Sequence, residues 1–381
     1  MTDSPGTGTA PTRPAKRRKR PVNTAVLSGV LTYACVIGAA LLPVPYMVQM
    51  PGPVVNTYAE GEDLITIEGA PTYPTRGQLD LLTVAVAGGP DRSLYASQIL
   101  GALVDRTDTV IPQEMYYPLD TTRDEISHVN AAQMTSSQDM ATAAALTELG
   151  MDVEDVVVVN EVEPDGAAAE ALRPGDVLRT LDGAPIGGEP ESGAQRVSAA
   201  AAEGEPLVLG IERDGVRQDV EIAPTLVDGE YRMGVTLGYD FLFPVEVEFH
   251  VADEIGGPSA GTIFALAIID ELTPGDLTGG VPIAGTGAIS ADGTISPIGG
   301  ARQKVAAAAH PSEERAAAQY FLSPAANCAE VLDAASGIDD LTVVRVDDLA
   351  SARASVEAIG EGHTDDLPSC ETAAADSGTT R

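Results

Sequence analysis

The chain has 381 residues, room for two folded domains at about 150 residues each, and its 44% hydrophobic content excludes a wholly disordered polypeptide. A formal net charge of −35, from 57 acidic against 22 basic residues, excludes a nucleic-acid binder, which needs clustered Lys and Arg to displace counterions. Three cysteines (Cys35, Cys328, Cys370) make no disulfide framework or four-thiolate zinc site, four histidines lack metal-ligand spacing, and no G-x-x-x-x-G-K-[ST] phosphate loop occurs, so no metal or cofactor is expected.

Residues 1–15 are rich in Pro, Thr, Gly and Ala, and Lys16-Arg17-Arg18-Lys19-Arg20 follows. Residues 22–42 then carry no charge; at ~1.5 Å per residue they would span roughly 31 Å, enough to cross a bilayer. The Lys/Arg bias places a tail at 1–20 in the cytoplasm, an anchor at 21–46, and everything beyond outside, in single-pass topology. A cleaved signal peptide is the alternative, but Pro43-Val44-Pro45-Tyr46-Met47 follows the span in place of an A-x-A site. On an oxidising side Cys328 and Cys370 could pair; Cys370 lies in a polar tail, and the pairing stays open.

Residues 43–60 are Pro-rich and uncharged until Glu60 and read as a stalk. The run at 79–87 (LDLLTVAVA), bounded by glycines, reads as a buried strand, and 93–105 and 124–149 read as helices. A strand at 156–162 leads to Glu163-Pro164-Asp165-Gly166-Ala167-Ala168, then Pro174-Gly175-Asp176, a strand at 178–181 and the turn Asp182-Gly183. This order is similar to PDZ domains over 151–227, with a groove helix at 196–202 and a closing hairpin at 206–213 and 218–222. The family's carboxylate-binding glycine loop is not recognisable.

Beyond Gly229 the pattern gives a strand at 245–251, a helix at 259–272, short strands near 281–284, 287–290 and 294–297, and a helix from 300 to 310. A strand at 320–322, a helix at 326–335, a strand at 342–346 and a helix at 349–359 follow. Residues 361–381 read as a disordered tail.

Two segments carry chemistry. Gly256-Gly257-Pro258-Ser259-Ala260-Gly261 puts a serine at a sharp turn before an apolar helix, where free N–H groups of the backbone around Gly257, Pro258, Ser259 and Ala260 could hold an oxyanion. Pro297-Ile298-Gly299-Gly300-Ala301-Arg302-Gln303-Lys304 leads into Val305 and four alanines. A lysine on so apolar a helix loses water, which lowers its pKa, and a neutral amine can take a proton from a serine hydroxyl.

The GGPSAG segment, followed 45 residues after its serine by the lysine of PIGG-x-x-x-K, resembles the proteolytic domain of Lon-type proteases, over about residues 245–346. The resemblance implies Ser259 as nucleophile, Lys304 as general base, and Thr286, in Thr286-Gly287-Ala288-Ile289, as the threonine that hydrogen-bonds the lysine. An acid that many members place just before the G-P-S-A-G run is replaced by Gly256. The anchor, the PDZ-like module and the Lon-type end together resemble the YlbL-like membrane proteases of bacteria. The implied fold is α/β (α+β): a Lon-type proteolytic domain (first part in 47–150, main part 228–360) with a PDZ-like β-rich domain inserted and one N-terminal transmembrane helix. The implied activity is an ATP-independent serine endopeptidase acting outside the cytoplasm on protein or peptide substrates, with a homo-oligomer implied by ring-forming relatives. The alternatives are a catalytically silent membrane-anchored PDZ adaptor and a self-processing protease. His250 is read as structural rather than as a triad base, and His128, His310 and His363 sit in no motif.

Overall fold

The computed structural model describes residues 24–58, 64–90, 92–118, 121–186, 190–252, 254–313 and 315–371. The basic run at 16–20, positions 21–23 of the expected anchor, and positions 372–381 of the expected tail lie outside them. Helix α1 (Thr24–Ala40) stops as Pro43 and Pro45 approach, since proline lacks an N–H and turns the residue before it out of helical geometry. A two-residue strand begins at Pro43, so the helix ends at Ala40, short of the expected anchor end at 46. No helix among the described residues is long and apolar enough to cross a membrane.

The expected stalk is instead part of a sheet. Residues 46–112 form β1 (Tyr46–Asn56), β2 (Ile65–Glu68), β3 (Gln78–Ala87), α2 (Ala96–Ala102) and β4 (Thr109–Pro112), and α3 (Arg123–Glu148) follows. β1 pairs antiparallel with both β3 and β4. Its Pro51 and Pro53 fall where the β1–β3 register shifts, between Pro51 and Val54, so their missing N–H groups cost little of the ladder. Thr122 and Glu125 cap α3 reciprocally.

A β-rich unit follows, made of β5 (Glu154–Val162), β6 (Val177–Leu181), α4 (Pro190–Ala202), β7 (Leu207–Arg213), β8 (Val216–Ile222) and β9 (Val235–Leu242), in sheet order β8-β7-β6-β5-β9. Val157, Leu178, Val197, Leu209 and Ile211 form its own core. Asp182 and Gly183 both take positive φ, as the hairpin turn between them requires. The unit continues past the expected limit at 227, because β9 returns to pair with β5.

The rest of the chain gives β10 (Glu246–Phe249), α5 (Gly261–Leu272), β11 (Pro282–Gly285), α6 (Ala301–Ala309), β12 (Tyr320–Pro324), α7 (Cys328–Ala335), β13 (Thr342–Val346) and α8 (Leu349–Gly360). One sheet runs β13-β12-β11-β3-β1-β4, with β13, β12, β11 and β3 mutually parallel. Strands from before and after the β-rich unit therefore share a sheet, and the unit is an insertion between them. α5 is buried from Gly261 through Asp270 and packs on α3 and α8, which explains its all-round apolar sequence.

The expected tail is shorter than 361–381. Arg345 N–H donates to the Pro368 carbonyl (2.9 Å), Val344 bridges Ser369, and Cys370, fully buried, is disulfide-bonded to Cys328. The pairing left open by the sequence is present.

Candidate active site

Ser259 lies in the turn ahead of α5, whose N-cap is Ala260, so the helix starts two residues later than expected. Gly257 takes φ +91°, a conformation that L side chains resist. A Cβ on Gly256 would come within 2.7 Å of the Asn130 side chain. α3 holds this turn from one side. Gly257 N–H donates to the Asn130 carbonyl (3.3 Å), and the buried Ser137 hydroxyl donates to the Pro258 carbonyl (3.1 Å). From the other side, the Gly287 N–H (3.0 Å) and the Thr286 hydroxyl (2.9 Å) both donate to the Ser259 carbonyl.

α6 brings the base. Gly300, at φ +70°, caps it, and Lys304 follows one turn later with its N–H on the Gly300 carbonyl (3.1 Å). The Lys304 side chain is only 2% exposed. Its Nζ lies 2.6 Å from Ser259 Oγ and 2.8 Å from Thr286 Oγ1. Thr286 has given its own proton to the Ser259 carbonyl, so its lone pairs accept from the amine, and this aims the nitrogen at Ser259. Burial lowers the Lys304 pKa from 10.5 to about 7. Ser259, Thr286 and Lys304, separated by 27 and 18 residues in sequence, thus converge on one point.

The point opens into a cleft of about 680 Å³. Leu82, Val84 and Val86 of β3 line one wall, Pro297 to Gly299 another, and Tyr117 and Met134 a third. β11 pairs with β3 only as far as Leu81, so beyond it one edge of β3 faces the cleft.

Of the four residues expected to hold an oxyanion, two are corrected. Pro258 has no N–H, and the Gly257 N–H is given to Asn130, which leaves Ser259 and Ala260. His250 is exposed, contacts Thr66 Oγ1 through Nε2 (3.0 Å) and does not line the cleft.

The model of the Lon protease (S16) C-terminal proteolytic domain matches residues 197–354, and that of the PDZ domain matches 148–223. The chain carries a Lon-type proteolytic domain and a PDZ domain. Among curated proteins none matches. The PDZ domain of an SdrC-like protein from Listeria monocytogenes is 23% identical over 21% of this chain and 85% of its own, with a TM-score of 0.19. That of an SdrC-like protein from Listeria innocua is 20% identical over 22% of this chain and 92% of its own, also at 0.19. The first part of the Lon-type match, up to Leu242, covers the end of α4 and the strands β7, β8 and β9, which the structure gives to the β-rich unit.

Within the PDZ domain, β9 and β8 are the two edge strands, and α4 packs against β5 and β9. The sequence reading missed β9, although Val235, Leu237, Tyr239 and Phe241 alternate with Thr236, Gly238 and Asp240. It also missed Asn130 and Ser137, which sit in a helix that reads as ordinary, and Asn327, whose side-chain amide bonds the Ile298 backbone.

Proposed function

We propose that this chain is a serine endopeptidase in which Ser259 is the nucleophile and Lys304 the general base. The observation that carries it is the 2.6 Å approach of the buried Lys304 Nζ to Ser259 Oγ. Near neutral pH the amine is substantially unprotonated and takes the Ser259 proton as Oγ attacks the scissile carbonyl. The N–H groups of Ser259 and Ala260 face the developing oxyanion. The lysine then gives its proton to the leaving amine, the acyl-enzyme forms, and a water deprotonated by the same lysine releases the acid. The cycle consumes no nucleotide, and turnover in nucleotide-free buffer is expected.

The test is peptide turnover and acyl-probe labelling of Ser259→Ala, Lys304→Ala and Lys304→Arg. The first two are expected to lose activity comparably, since the groups act as one unit. Lys304→Arg fails as well, because a guanidinium stays protonated. Turnover of the wild type rises with pH through about 7, as the neutral amine accumulates. A folded Lys304→Arg protein with near wild-type turnover refutes the assignment.

The same reading puts the chain in the membrane by its N-terminal segment, with the tail at 1–20 in the cytoplasm and the catalytic body outside. Three features support it: the basic run before the uncharged span, the exposed Val26, Leu27, Val30 and Leu31 of α1, and a disulfide of the kind that persists in oxidising compartments. Protease added to intact cells would digest the body and spare an N-terminal tag; a protected body overturns it. The PDZ domain recruits an extended peptide by strand addition at the β9 edge. Deleting it should impair cleavage of folded proteins more than of short peptides, and equal loss on both makes it structural.

A further inference from the structure

α2 has apolar side chains on two sides. Ile99 and Ala102 pack inward with Val48, Leu94 and Val110. Leu100, Leu103 and Val104 are 63%, 66% and 84% exposed. Residues 93–104 hold no charged side chain, in a protein of net charge −35, and Asp105-Arg106 follow at once. A segment apolar on both sides is ordinarily covered on both. Here the outer side has no protein cover among the described residues.

Its place in the fold says what covers it. The Ala96 N–H donates to the Leu42 carbonyl (3.0 Å), Pro43 pairs with Tyr95, and Val44 pairs with Leu94. These bonds fix the start of α2 at the end of α1, and the two helices touch. Leu41 and Leu42, at that junction, are themselves exposed, as is Tyr95, an aromatic of the kind enriched where lipid meets water. The uncovered side of α2 is thus continuous with the apolar surface of α1.

We propose that α2 and the two residues after it lie in the interfacial layer of a lipid bilayer, with Leu100, Leu103 and Val104 set among the upper acyl chains. The proposal rests on the reading of α1 as a membrane anchor. α2 is packed on the sheet that carries the cleft wall, so a second contact beside α1 fixes how the catalytic body stands on the membrane instead of leaving it to swing on one tether.

The chain contains no tryptophan, so a single one reports its own surroundings. The full chain carrying Leu103→Trp is reconstituted in phosphatidylcholine vesicles brominated either near the glycerol end or near the methyl end of the acyl chains. Val30→Trp in α1 and Val216→Trp, exposed in the PDZ domain, serve as controls. The expected result is blue-shifted Leu103→Trp emission, quenched most by bromine near the glycerol end, with Val216→Trp unquenched and Val30→Trp quenched. Leu103→Trp emission as red and unquenched as that of Val216→Trp, while Val30→Trp is quenched, overturns the proposal and leaves the anchor standing. An unquenched Val30→Trp sinks the anchor reading and the proposal with it. A blue shift without bromine quenching means that a second copy of the chain covers this surface, and it also overturns the proposal. Leu103 is exposed, so the substitution leaves the core intact; Leu100→Trp repeats the test one turn away.

Discussion

Asn327 and Ile298 are joined twice: the Ile298 N–H donates to Asn327 Oδ1 (2.9 Å) and Asn327 Nδ2 donates to the Ile298 carbonyl (2.9 Å). Ile298 lines the cleft and stands two residues before Gly300, the cap of α6, so this amide holds both the cleft wall and the register of the helix that presents Lys304. Asn327→Ala strips both bonds from a site where Asn327 is 6% exposed. The expected outcome is turnover lower by roughly ten- to a hundredfold, because small misplacement of a reacting group is costly. A wall that loosens also admits water to Lys304, so the rise of turnover with pH should move alkaline of its wild-type position. Asn327→Asp keeps the acceptor for Ile298 N–H and should fall between. Rate–pH profiles of the three proteins check this; an unmoved profile with unchanged rate removes Asn327 from the machinery.

Ser137 acts on the other partner. Its hydroxyl holds the Pro258 carbonyl, one residue before Ser259. Ser137→Ala gives up one neutral hydrogen bond to a carbonyl in a buried setting, worth about 1 kcal/mol. Acyl-probe labelling of Ser259 should slow severalfold, with peptide KM little changed, because no substrate contact is lost. Parallel labelling and steady-state assays of the two proteins measure both.

Much of the site was legible because its chemistry is local. Gly256-Gly257-Pro258 ahead of an apolar run announces a strained turn, and a lysine among Val and Ala announces desolvation. What the sequence lacks is the third dimension: nothing in Ser137 or Asn327 marks it as a clamp, since Ser137 bonds a backbone group over 100 residues away and Asn327 one 29 residues away. β1 was hidden by Pro51 and Pro53, which argue against a strand until a bulge makes room for them. β9 was hidden because its partner β5 lies over 70 residues earlier, across the whole PDZ sheet. The order of residues 361–371 depends on Cys370 reaching Cys328, and the sequence left that pairing open.

The disulfide closes a loop between positions 42 residues apart and ties the segment after α8 to α7. Cross-links of this kind stabilise by about 2–4 kcal/mol, chiefly by restricting the unfolded chain. Cys328→Ser with Cys370→Ser should lower stability to denaturant by that order. Denaturant titrations of the pair against wild type, each with and without reductant, check it: reductant should shift the wild type toward the double variant and leave the double variant where it is.

Lys304 is a stability liability as well as the proposed base. Its folded pKa, about 7, lies below its ordinary 10.5, so the folded state binds fewer protons than the unfolded state between those values. Stability therefore rises with pH from about 7 to 10.5, and the full cost of burying the amine falls on the protein at pH 7 and below. A shift of that size is bounded near ~5 kcal/mol, and relaxation around the site reduces it to a few. Lys304→Met, of similar length and without charge, should fold more stably than wild type by about 1–3 kcal/mol at neutral pH, while losing all turnover. The gain should shrink as pH rises from 7 toward 10.5, above which the wild-type amine is neutral in both states. Denaturant midpoints of the two proteins across the window from about 7 to 10.5, set by the two pKa values, measure the difference. A wild type that is the more stable of the two at pH 7 means that the amine is not desolvated as the structure shows it.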